Sequence, residues 1–107
     1  MDNFDISNKI KQLQESIDSI FADVRNEQKY QEFCLGANVE LNEEEKKLKQ
    51  LCDDFMRILS DMFLFLKNDK YLNSKKKLYK FNQLEKRAIR IIDKIKNQKE
   101  KINWNEE

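Results

Sequence analysis

At 107 residues the chain is long enough for one modest core, and with no Pro and a single Gly, Gly36, it lacks the turn residues that all-β architectures need. Charged residues make up 38% and hydrophobic residues 39%, the balance of amphipathic helices and not of a disordered tail. The net charge of +1 divides into opposite halves, since residues 1–66 carry 14 acids against 8 bases and residues 67–107 carry 6 acids against 13 bases.

The first segment repeats Ile6, Ile10, Leu13, Ile17, Ile20 and Val24 at 3–4 spacing, a heptad seam that Phe21 broadens. Asp5 or Ser7 is placed to cap its start, and Gly36 to cap its end, giving a helix over about 5–35. Tyr30 and Phe33 fall on the opposite side from that seam, so either the helix breaks near Asn26 or the two aromatics form a second contact face. Asn42 followed by Glu43, Glu44 and Glu45 reads as a capped, dipole-matched start of a second helix over about 43–66. Lys67-Asn68-Asp69 reads as its exit, and a third helix over about 70–102 starts at Asp69 or Ser74. Its seam is Phe81, Leu84, Ala88, Ile91, Ile95 and Ile102, widened by Leu78, Ile89 and Ile92, with a frayed tail from which Trp104 can pack back. The fold expected is all-α: one helical domain, 1–107, forming an elongated antiparallel bundle of about three long helices with coiled-coil-like packing.

Catalysis is not expected. The chain has no His, the commonest general base and metal ligand, and one Gly cannot build a phosphate-binding loop. Cys34 and Cys52 lack metal or redox spacing and read as buried free thiols, so no metal, cofactor or small-molecule substrate is expected. The opening MDNFDISNK contains no apolar leader segment, and no apolar run approaches the roughly 20 residues that span a bilayer. A cytoplasmic location follows as an expectation.

Two surfaces invite binding. On the third helix, Lys80, Arg87, Lys94 and Lys101 recur every seven residues opposite the isoleucine seam, with Lys76, Lys86 and Arg90 alongside and Tyr79 within the stripe. That segregation suits an acidic protein surface or a nucleic acid as well as plain solvation. On the second helix, nine of the twelve residues Phe55 to Leu66 are apolar, a wider arc than a core-facing stripe needs. Met56, Phe63, Leu64 and Phe65 are the expected partner-binding members, Met56, Phe63 and Leu64 lying furthest from the arc's centre. A central helix touching both neighbours would use the same residues as core.

In length and long helical hairpins the chain is similar to the small helical partner proteins of Gram-positive type VII secretion, which implies leaderless secretion with a partner. Their Trp-Xaa-Gly turn is missing, the only Trp being Trp104, and so is their C-terminal Tyr-plus-acid signal. The function expected is a non-catalytic helical interaction module (adaptor, targeting factor, inhibitor or chaperone-like partner) that binds a protein or self-associates. The alternative is nucleic-acid or ribonucleoprotein binding through the basic face.

Overall fold

The computed structural model describes residues 3–35, 40–67 and 75–105. They form α1 (Asn3–Phe21), α2 (Gln28–Leu35), α3 (Glu43–Lys67) and α4 (Lys75–Lys99), with no strand among the described residues. Among the described residues the bundle is therefore built of four helices, not three.

The first expected helix breaks where its two apolar faces conflict. α1 starts two residues before Asp5, which sits in its first turn instead of capping it. After Phe21 the chain tightens through Val24 N–H to Phe21 O at 3.1 Å and Glu27 N–H to Val24 O at 3.0 Å, both i→i−3 bonds. These turns carry Val24 inward and redirect the chain, so that α2 points Tyr30 and Phe33 into the core as well. A continuous helix would have left those rings on the outside. The Gly36 cap lies outside the described residues.

α3 begins as the sequence indicates. Glu45 N–H donates to Asn42 Oδ1 at 2.8 Å, and Asn42 N–H reaches back to Glu45 Oε1 at 3.5 Å, a reciprocal capping box. Among the described residues the third expected helix covers only Lys75–Lys99; its start at Asp69 or Ser74 lies outside them. It ends before Ile102, because Lys101 N–H and Ile102 N–H turn to Gln98 O and Lys99 O in i→i−3 bonds. The tail does not fray directly after this: Trp104 is buried, and its Nε1–H donates to Lys99 O at 3.2 Å, sharing that carbonyl with Ile102 N–H.

One apolar core runs through the bundle, from Ile6, Ile10 and Leu13 through Leu48, Phe55, Ile58, Leu59 and Met62 to Phe81, Ala88 and Ile95. α3 and α4 are antiparallel. Phe65 meets Phe81 edge-on at 5.6 Å near one end, while Gln98 Nε2 bonds Glu44 O at 3.0 Å and Glu44 Oε2 at 2.6 Å near the other. α1 runs parallel to α4, since Lys9 pairs with Glu85 at 3.4 Å and Asp23, just past α1, pairs with Lys99 at 2.7 Å. The hydrogen bond from Lys99 holds the Asp23 carboxyl below its usual value. The molecule measures 52 × 23 × 21 Å with a radius of gyration of 16.0 Å, longer than the ~13 Å of a compact chain this size. No helix among the described residues is long and apolar enough to cross a membrane.

Candidate functional site

α2 covers only part of α3. Lys29 pairs with Glu45 at 3.9 Å, and Lys49 Nζ reaches Phe33 O at 3.5 Å and lies 5.4 Å from the Phe33 ring centre. α2 therefore runs alongside the first half of α3 and ends at Leu35. The side of α3 that carries Glu45, Lys49 and Cys52 continues helically to Met56 and Phe63. Beyond the reach of α2, Met56 is 58% exposed and Phe63 40% exposed.

Leu64, 51% exposed, lies on the other flank of α3. With Phe65 it forms one wall of an open crease between α3 and α4, about 430 Å³ in volume. Leu84 completes the apolar floor, and Asp61, Lys77, Lys80, Gln83 and Arg87 make the rim. Phe65 is half-buried against Phe81, so it serves the core and the crease together. A second crease of about 430 Å³ opens between the same helices, lined by Lys47, Gln50, Leu51, Lys94, Asn97, Gln98 and Lys101.

Of the residues singled out from sequence, the fold thus joins Leu64 and Phe65 with Lys80 and Arg87, so that the basic stripe flanks the apolar seam of α4 and does not lie opposite it. It sets Lys94 and Lys101 in the second crease, puts Met56 and Phe63 on the far flank of α3, and leaves Lys76 and Arg90 exposed outside both creases. Tyr79 is exposed but lines neither crease, and Ile89, expected to widen the seam, is 50% exposed. The side chains of Lys80, Arg87, Lys94 and Lys101 have no ion pair or hydrogen bond among the described residues. Lys47 and Leu84, which the binding argument from sequence did not use, enter the creases through the α3–α4 register, which no local pattern encodes.

The cysteines depart from expectation. Both are free, but Cys34 is exposed and only Cys52 is partly buried. Burial raises the Cys52 thiol to about 11, with the Asp53 carboxylate adding to the shift. Burial also raises the Tyr30 hydroxyl, helped by its hydrogen bond with Cys34. Among the described residues no group of three or more acidic or cysteine side chains is placed to hold a metal ion.

No protein-family model, curated protein or solved structure matches the chain.

Proposed function

We propose that the protein is a non-catalytic helical interaction module, binding a larger protein through the second half of α3 and the adjoining flank of α4. The observation that carries this reading is the exposure of Met56, Phe63 and Leu64 on a helix whose other side already fills the core. Isolated exposed apolar residues are ordinary, but three on the last three turns of one helix, with Leu64 beside Lys80 and Arg87, resemble the composition of interface cores. An adaptor, a targeting factor, an inhibitor or a small secretion partner would each use such a surface.

The test is a Met56→Ser/Phe63→Ser/Leu64→Ser variant compared with the wild type for helicity and for the proteins it contacts in the cells that make it. A variant that stays folded and loses specific contacts supports the reading. One that keeps every contact contradicts it.

A second reading, nucleic-acid binding, draws support from the seven-residue spacing of Lys80, Arg87, Lys94 and Lys101 and from their lack of internal partners. It demands a steep log-linear loss of affinity with salt, which an apolar interface does not.

A further inference from the structure

The two creases lie in line. Because α3 and α4 are antiparallel, the crease at Asp61–Phe65 and Lys77–Arg87 leads along the long axis into the crease at Lys47–Leu51 and Lys94–Lys101. The cations Lys80, Arg87 and Lys94 mark this line every seven residues, or every ~10.5 Å along a helix, and Lys101 follows just past the end of α4. Glu85, about 150° round α4 from that stripe, is engaged with Lys9 of α1, so α1 does not cover the stripe.

We infer that the α3–α4 face is a docking groove for an amphipathic partner helix carrying carboxylates at seven-residue intervals beside an apolar seam. The inference rests on the interaction reading above and names the chemistry of the partner. A helix laid along α4 at a shallow angle repeats every seven residues, so one register sets a carboxylate against each successive cation, as flanking charges do in coiled coils. Its apolar seam would cover Leu64, Phe65 and Leu84, the helix-in-groove mode of recognition.

Charge selects this occupant over the two others that would fit the shape. The first crease holds one carboxylate, Asp61, against Lys80 and Arg87, which have no side-chain partner among the described residues; the second holds Lys47, Lys94 and Lys101 and no acid. A second copy seated crease to crease would set like charges against each other. A nucleic-acid strand would satisfy the cations but leave the Leu64, Phe65 and Leu84 floor in water.

The test titrates the full chain with three labelled probes: a three-heptad helical peptide with a leucine seam and flanking Glu, the same peptide with Lys for Glu, and a single-stranded oligonucleotide. The Glu peptide is expected to bind best. Lys80→Glu/Arg87→Glu and Leu64→Ser should each weaken it by at least about tenfold, since one makes the rim repulsive and the other strips the floor. The charge-reversed variant should then prefer the Lys peptide, while Ser16→Glu, on the exposed face of α1, leaves Glu-peptide binding unchanged. Circular dichroism of each variant checks that the helices persist. Equal binding of the two peptides, tighter binding of the oligonucleotide, or dimerisation that buries the groove would overturn the inference. If contacts in the native cell vanish with Met56→Ser/Phe63→Ser but survive Lys80→Glu/Arg87→Glu, the groove fails and the interaction reading stands. If neither variant changes those contacts, the interaction reading itself fails.

Discussion

Trp104 closes one end of the bundle with a single ring. It meets Phe33 at 5.7 Å, Tyr30 at 5.8 Å and Phe21 at 6.4 Å, all edge-on, while its indole N–H occupies the carbonyl of Lys99. Trp104→Ala should therefore cost about 3–5 kcal/mol, as truncating a buried aromatic does. Trp104→Phe should cost less, because it retains a ring and loses mainly the hydrogen bond. Denaturant unfolding followed by circular dichroism measures both. A neighbouring cluster gives the molecule an alkaline limit. Cys52 and Tyr30 both have raised folded values, so the neutral forms are favoured in the fold. Their contribution to stability is complete below the unfolded thiol value of 9.0 and is lost as pH rises through about 11 for Cys52. The urea midpoint should fall between pH 9 and 11, and Cys52→Ala with Tyr30→Phe should flatten that fall. A wild-type midpoint that stays level to pH 11 would refute the assignment.

At the scale of the element, α3 distributes its apolar residues between two duties. Leu48, Phe55, Ile58, Leu59 and Met62 are buried, whereas Met56, Phe63 and Leu64 project at the margins. Phe63→Ser/Leu64→Ser should lower stability by only about 1 kcal/mol per residue, since each side chain is roughly half removed from water. Phe55→Ser should cost about 3–5 kcal/mol. Thermal or urea unfolding of the two variants in parallel decides whether the margin is surface or core. Much of this was legible in the sequence. The 3–4 spacing from Ile6 to Val24 marks a real seam, and Asn42 and Glu45 form the capping box. The opposed placement of Tyr30 and Phe33 raises a break near Asn26 only as one of two alternatives to the helix expected over 5–35, and the structure has the break. What could not be read was tertiary: Trp104 is distant in sequence from the aromatics it joins, and the exposure of Cys34 and Ile89 depends on which neighbours reach them. The creases were hidden for the same reason. Leu64 and Lys80 belong to different helices, and only the α3–α4 register sets them side by side.

Across the whole molecule, the division of charge is only partly used within the fold. Asp23–Lys99 and Glu44–Gln98 tie the acidic half to the second half, but the heptad stripe on α4 stays without internal partners. Reversing Lys80, Arg87 and Lys94 to Glu should leave the circular dichroism spectrum and melting point nearly unchanged, because exposed charges contribute under about 1 kcal/mol each. The same variant should lose partner binding, and in the wild type that binding should weaken only gradually with salt if an apolar floor shares the contact. The most direct measurement of the central claim is site-specific photo-crosslinking in the cells that make the protein. A photoreactive phenylalanine is placed at Leu64 in the crease, or at Ser16 on the exposed face of α1. Discrete protein adducts from position 64, absent from position 16 and abolished by Lys80→Glu/Arg87→Glu, are the predicted result. Adducts that are equal from both positions, or none from position 64, would contradict it.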